Sequence, residues 1–429
     1  MTLGNHFAFE PGRKEQGSQT AVSGAPVRDH PELAIYSLEP PLPERTLADI
    51  LLETIENHPS AIALEGIDGF FTYAELAVQI EHHVNRLWSL GVGRGDRVGI
   101  RVPSGTTDLY VAILSTIMAG AAYVPVDWDD PDERADTVFS EAGVVAVFTD
   151  QLEIVKRIPD HNNPDKQLPS LDDDAWIIFT SGTTGKPKGV AITHRSAAAL
   201  VDTEADFYLS EEPLNTTDRV MAGLSVAFDA SCEEMWLAWR NGSTLVAAER
   251  DVVRSGEDLG YWIRDKRITA ISTVPTLAAI WPAEAMERVR LLIFGGEACP
   301  PDLIERLSVP GREVWNTYGP TEATVIATAA RLQPGDVVRI GRPIRGWELT
   351  VVDPDGTPVR WGETGELVIG GVGLGRYLDS EKDAEKYAPL PALDWDRAYR
   401  TGDHVVADRE GLLFAGRIDD QIKIGGRRI

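Results

Sequence analysis

From residue 46 onward the chain alternates two hydrophobic rhythms. Thr46 precedes Leu47, Ile50, Leu51 and Ile55, a 3.6-residue spacing that predicts a capped helix. Short apolar runs at 62–64 and 70–71 predict strands. Thr72 with Glu75 forms a capping box that opens a helix carrying Leu76, Ile80, Val84 and Leu87 and stopping at Gly91. A β-branched run at 98–102 follows, then helical spacing over 108–119, a strand at 123–126, a helix from Asp132 and a strand at 144–148. Such alternation predicts an α/β fold with mostly parallel sheet and helices on both faces, and the rhythm resumes from 175 to about 330. Beyond 338 the texture changes to short strands at 349–352, 366–369 and 412–415, separated by Gly, Pro and Asp turns. That region is expected to be a smaller, β-rich lobe, a distorted barrel. Residues 1–44 are rich in Gly, Pro and charge and finish in Glu39-Pro40-Pro41-Leu42-Pro43, so they are expected to form a flexible arm, with order beginning at Thr46. The expected division is therefore arm 1–44, α/β lobes 45–337, β-rich lobe 338–416 and a terminal segment 417–429.

Composition narrows the chemistry. The chain has 429 residues and 43% hydrophobic residues, enough for a large core. Lys and Arg number 41 against 67 Asp and Glu, a net charge of −26, which argues against nucleic acid as partner. Two cysteines, Cys232 and Cys299, exclude a disulfide scaffold or zinc ribbon and fit a reducing cytoplasm. Neither has an evident basic neighbour, so both are expected to be buried small residues. No apolar run reaches membrane-spanning length, and no basic leader precedes an apolar stretch. The eight histidines contain no His-x3-His pair, and Asp172-Asp173-Asp174 is expected to be a solvated loop.

The segment richest in chemistry is Thr180-Ser181-Gly182-Thr183-Thr184-Gly185-Lys186-Pro187-Lys188-Gly189. Glycines let backbone N–H groups wrap an anion, and the hydroxyls with Lys186 and Lys188 add donors and charge suited to a polyphosphate. It is not a Walker loop, because Pro187 follows Lys186. Pro187 also disfavours helix at Lys186, so a strand–loop–strand arrangement is expected. The chain contains neither G-x-G-x-x-G nor G-x-S-x-G.

At this point the sequence resembles the adenylate-forming enzymes, and within them the adenylation domains of nonribosomal peptide synthetases. The 180–189 segment is similar to their phosphate-binding signature. Phe71-Thr72-Tyr73-Ala74-Glu75-Leu76, Ala119-Gly120-Ala121-Ala122-Tyr123-Val124-Pro125-Val126-Asp127 and Phe228-Asp229-Ala230-Ser231 are similar to further blocks. So are Asn316-Thr317-Tyr318-Gly319-Pro320-Thr321-Glu322, Gly365-Glu366-Leu367, Tyr399-Arg400-Thr401-Gly402-Asp403 and Gly416-Arg417-Ile418-Asp419-Asp420-Gln421-Ile422-Lys423. They occur in the family's order over about 45–429. The stretch 224–240 most resembles enzymes of the ε-poly-L-lysine synthetase type.

The resemblance implies two stacked αβα lobes and attack of an amino-acid carboxylate on ATP, giving aminoacyl-AMP and pyrophosphate. It further implies transfer to a phosphopantetheine thiol on a peptidyl carrier partner. Thr180, Ser181, Gly182, Thr183, Thr184, Gly185 and Lys188 would hold phosphate, with Lys186 and Thr321 acting on the reacting groups. Glu322 resembles the family's Mg²⁺ ligand, Tyr318 would stack on adenine, Asn316 would bond its amino group, Asp403 would hold the ribose hydroxyls, and Arg417 would lie near ribose and phosphate. Asp419 resembles the hinge to a small C-terminal lid.

Aligned blocks place Asp229, Ala230, Glu233, Ser272, Ile293, Gly295, Thr317, Val325 and Ile326 around the amino acid. Asp229 would pair with the α-ammonium. Glu233 falls on the same face if the segment is helical, and a carboxylate at a pocket floor calls for a cation. L-lysine is the substrate this wall most resembles, with ornithine, diaminobutyrate and β-lysine as alternatives. Glu234 is expected to be an ordinary surface charge, and His194 to cap the next helix.

Two departures stand out. The glycine-rich block Gly373-Leu374-Gly375-Arg376-Tyr377-Leu378 is one residue shorter than usual, and the sequence stops at Arg427-Arg428-Ile429, before the lid and its catalytic lysine. The chain alone is therefore expected to bind ligands but adenylate poorly. Competing readings are an acyl- or aryl-CoA ligase of the same superfamily, against which Asp229 argues, and a module that only binds ligands.

Overall fold

The computed structural model describes residues 31–36, 39–180 and 187–418, with the short paired segments 423–424 and 427–428. Among these residues the fold rests on three main sheets. One has seven strands in the order Arg376–Tyr377, Lys188–Thr193, Asp174–Thr180, Ala122–Pro125, Arg97–Ile100, Ala146–Phe148, Ile154–Lys156. Its inner pairs are parallel, whereas Asp174–Thr180 and Lys188–Thr193 pair antiparallel, giving the strand–loop–strand arrangement expected of the Gly/Thr/Lys segment.

The second sheet has nine strands: Arg342–Pro343, Thr328–Leu332, Glu313–Tyr318, Leu291–Phe294, Ala270–Thr273, Arg219–Ala222, Thr244–Ala247, Ile62–Gly66, Gly69–Thr72. Its strands from Glu313–Tyr318 through Ile62–Gly66 run parallel. The largest apolar cluster spans both sheets through the helices between them. In the helix Thr107–Met118 every residue except Asp108 is buried, as required of a helix covered on all sides. In Ala230–Arg240, Trp236 and Trp239 lie edge to face at 5.6 Å, both fully buried.

The third sheet is antiparallel: Trp347–Val352, Thr364–Gly371, Trp395–Val406 and Tyr387–Leu390, with Leu413–Arg417 also on Trp395–Val406. Trp395–Val406 is its longest strand. Chain entry differs from the sequence expectation that order begins at Thr46. Residues 33–36 bridge to this sheet, with Ala34 N–H donating to Val359 O at 2.8 Å and Tyr36 N–H to Leu349 O at 3.1 Å. Ala34 and Tyr36 are buried there, and that burial is what turns a Pro-rich lead-in into an ordered strap.

The helix starts obey their capping signals. Thr46 with Asp49 and Thr72 with Glu75 form full capping boxes. The helix His194–Phe207 is capped by Thr193, whose hydroxyl accepts from Ser196 N–H. His194 is instead fully buried, its Nδ1 3.4 Å from Leu47 N, because the ring points into the core. Asp173 accepts from Ser170, and Asp174 pairs with Arg376 at 2.6 Å.

Candidate active site

A cavity of about 380 Å³ opens between the two larger sheets. The helix Ala230–Arg240 presents Ala230 and Glu233 to it, about one turn apart on one face, with Asp229 at its N-cap. Ser272 reaches it from the strand Ala270–Thr273, and Gly295 and Thr317 from the ends of the next two strands. Val325 and Ile326 complete the wall. Thr324 and Val325 have φ of 60° and 63°, an uncommon state for β-branched residues. The Thr324 hydroxyl donates to Gly373 O at 2.6 Å and fixes this turn. Ile293, expected in the wall, does not line the cavity. It is the register partner of Ser272 and Trp315, and its branched side chain is fully buried in the main core.

Glu233 is 2% exposed. Ser272 Oγ donates to its Oε2 at 2.5 Å and Tyr208 Oη to its Oε1 at 3.1 Å. Desolvation raises its pKa above the ordinary carboxylate value despite these donors. Among the described residues it forms no ion pair with a cationic side chain. Behind it lies Glu204, wholly buried on the helix His194–Phe207, its pKa driven well up by burial and by the neighbouring Glu233 carboxylate.

Glu234 is also buried, which corrects the expectation of a surface charge. Its carboxylate accepts from the Gly223 and Leu224 N–H groups at 3.0 and 3.1 Å, because two backbone donors of a tight loop need an acceptor there. That bond holds the loop that sends Leu224, Ala227 and Phe228 into the cavity.

Thr180 and Thr321 line the same cavity at its other end. Around them the fold assembles residues far apart in sequence. Asp403 accepts from the Tyr318 hydroxyl, and Arg417 Nη1 donates to Asp403 Oδ1 at 2.7 Å. Asn316 Nδ2 donates to Arg339 O at 2.7 Å, while its Oδ1 is buried with no hydrogen-bond partner among the described residues. Thr180 Oγ1 is likewise buried and has no partner among the described residues. Glu322, 1% exposed, accepts from Tyr377 Oη at 2.6 Å. Lys188 Nζ stands 5.8 Å from the Tyr377 ring centre. An acceptor on Asn316, a hydroxyl on Thr180, a ring on Tyr318 and a carboxylate on Asp403 fit an adenine nucleotide, which offers an exocyclic amine, phosphate oxygens, an aromatic face and vicinal hydroxyls. Ser181, Gly182, Thr183, Thr184, Gly185, Lys186 and Asp419 lie outside the described residues.

Sequence reasoning missed Glu204, Tyr208, Tyr377 and the role of Glu234. For Glu204 a signal existed. Ala197, Val201, Glu204 and Tyr208 are spaced four, three and four apart, so the carboxylate sits on the apolar stripe of its helix.

The fold and this donor set define a class, and comparison with known proteins agrees. The profile of the AMP-binding enzymes matches residues 51–377, and the chain belongs to that family. Delta-poly-L-ornithine synthetase of Acinetobacter baumannii is 35% identical over 408 residues, covering 90% of this chain and 30% of that protein. The NpsA N-terminal subdomain of Klebsiella oxytoca, solved in complex with 3-hydroxybenzoyl-AMSN, superposes with a TM-score of 0.75 at 26% identity, covering 87% of this chain and 98% of that one. NpsA-ThdA, an artificially fused adenylation–PCP di-domain from the same organism, superposes with a TM-score of 0.78 at 25% identity, covering 90% of this chain and 82% of that one. The chain thus spans about a third of the length of its poly-ornithine-synthesising relative. None of the described helices is long and apolar enough to cross a membrane.

Proposed function

We propose that this chain is the large N-terminal part of a nonribosomal peptide synthetase adenylation domain that activates a basic amino acid, L-lysine or L-ornithine, with ATP. The observation that carries the side-chain assignment is Glu233, a carboxylate buried at the cavity wall with hydroxyl donors but no cationic partner among the described residues. An isolated buried carboxylate is costly by several kcal/mol, and a substrate ammonium offsets that cost. Small neighbours Ala230 and Gly295 leave room for a slim chain. The poly-ornithine-synthesising relative favours the shorter diamino acid, and the resemblance of the wall favours lysine.

In this reading Asp229 holds the α-ammonium and orients the carboxylate toward the nucleotide. A carboxylate oxygen forms a bond to the α-phosphorus and the bond to pyrophosphate breaks. The protein supplies no nucleophile; it positions the reactants and balances charge. Asn316 and Tyr318 seat adenine, and Asp403 with Arg417 seats the ribose. Thr180, Thr321, Lys188 and the Lys186 loop meet phosphate. Glu322 would hold Mg²⁺, which when bound neutralises phosphate charge. The aminoacyl group then passes to the phosphopantetheine thiol of a carrier domain, the partner type present in the fused di-domain relative.

The test is titration of the chain with L-lysine, L-ornithine, 2,4-diaminobutyrate and L-norleucine in the presence of a non-hydrolysable ATP analogue. A diamino acid binds best, and Glu233→Gln removes most of that preference while nucleotide binding stays intact. Equal affinity for norleucine in the unaltered protein would reject the basic side chain.

A further inference from the structure

The floor of the amino-acid cavity is built from two carboxyl groups rather than one. Glu233 faces the cavity, and Glu204, fully buried behind it, has no donor to either of its oxygens among the described residues. A buried carboxyl whose neighbour is another carboxyl satisfies itself by keeping its proton and donating it. The donors on Glu233 are already set: Ser272 Oγ on one oxygen and Tyr208 Oη on the other, the latter one helical turn beyond Glu204. An O–H from Glu204 adds a third.

Resting on the basic-amino-acid reading above, we propose that Glu204 is a positioning residue for substrate selection: it stays protonated, donates to Glu233, and so leaves the floor with one negative charge to match one side-chain cation. Were both groups ionised, two negative charges would face a single ammonium, and their mutual repulsion in a buried site would go uncompensated. Were neither ionised, the cation would lose its partner.

The groups acting on this pair support the assignment. Glu204 feels burial and Glu233, and no cation among the described residues. Glu233 feels burial, Ser272, Glu204, Tyr208 and Asp229, and Glu234 lies next to it. The carboxyl with fewer donors keeps the proton, and that is Glu204. Tyr208 stays a neutral donor, its own pKa pushed well above the ordinary phenol value by burial and both glutamates.

Two variants separate this role from mere packing. E204Q replaces the O–H donor by an N–H donor of the same shape, and E204L keeps bulk while removing the donor. The full chain is titrated with L-lysine and L-norleucine from acid to neutral pH, with the ATP analogue present. Losing a donor raises the pKa of Glu233, so E204L is expected to weaken lysine binding about tenfold on the acid side and to move the acid midpoint upward by about one pH unit. Norleucine binding stays put, and E204Q restores lysine binding to near the wild-type level. An unmoved acid midpoint in E204L, or E204Q as damaging as E204L, overturns the proposal while wild-type lysine preference leaves the substrate reading intact. Absence in the wild type of any preference for a diamino acid over norleucine, with L-ornithine titrated alongside lysine, rejects the substrate reading, and the proposal with it. Should E204L not fold, the infrared difference between wild type and E204Q at neutral pH decides. A protonated-carboxyl band lost in E204Q supports the proposal, and its absence overturns it.

Discussion

Asn316 shows how a single side chain defines one end of the site. Its amide nitrogen is committed to Arg339 O, and its amide oxygen is left buried without a donor among the described residues. An unsatisfied buried acceptor costs about 1–3 kcal/mol, and a ligand N–H recovers it. Asn316→Ala is therefore expected to weaken binding of an ATP analogue by about tenfold in direct titration, the worth of one well-placed hydrogen bond. Asp403→Ala removes the carboxylate proposed to hold the ribose and also strips Arg417 and Tyr318 of their shared acceptor, so its loss should exceed that of Asn316→Ala in the same titration. Gly319 marks a close approach, since a Cβ there would lie 2.4 Å from Ile326 Cα. The Tyr-Gly-Pro turn therefore presses directly on the wall of the amino-acid end, tying the two halves of the site together.

Elements were legible from the chain wherever a cap or a period marked them. The box at Thr72 and Glu75 is formed, and the helix it opens runs Tyr73–Ser89 before Gly91, at φ 79°. Thr72→Ala is expected to cost about 1 kcal/mol of unfolding free energy in urea, with ligand binding unchanged, because the cap lies at an exposed helix start away from the cavity. The strand Trp395–Val406 was hidden, because Asp396, Arg397, Arg400, Asp403 and His404 break its apolar alternation. Those charges are accommodated by partners from elsewhere in the fold: Arg397 with Asp383, Arg400 with Glu366, Asp403 with Arg417. Long-range pairing of this kind leaves no local pattern. Glu233 was readable because a motif fixed its helix; the burial of Glu204 was readable from its apolar stripe, but its pairing with Glu233 was not, because the partner sits on a different helix, 29 residues away. Glu234 was misjudged for a related reason: its acceptor duty arises from loop N–H groups at 223 and 224, which only the folded chain brings near.

At the scale of the whole molecule, the core holds titratable groups that tie stability to pH. His194, buried and desolvated, has its pKa lowered to about 4, and His83 is lowered to about 4 by burial and the nearby Arg86 charge. An unfolded histidine titrates near 6.5, so between about 6.5 and 4 the unfolded chain binds more protons than the folded one. Their contribution is complete above that window and is lost as pH falls through it. His194→Gln should therefore show a shallower decline of unfolding free energy with acidification than the wild type, read from urea midpoints. A parallel decline in both proteins would show that His194 does not carry this sensitivity.

The strap at residues 33–36 ties the order of synthesis to the order of folding. Tyr36 donates its hydroxyl to Asp408 O, 372 residues later. At roughly 5–20 residues per second a ribosome needs roughly 20–75 s to deliver that partner. For that interval the nascent chain carries the Tyr36 hydroxyl without its partner, so docking of residues 33–36 is complete only once residue 408 has been made. A product truncated ahead of Trp347–Val352 would retain that segment as an unpaired apolar stretch, while the α/β layers behind it could already be closed. Synthesis of the third sheet is thereby written into the surface: the strap is covered only when that sheet exists.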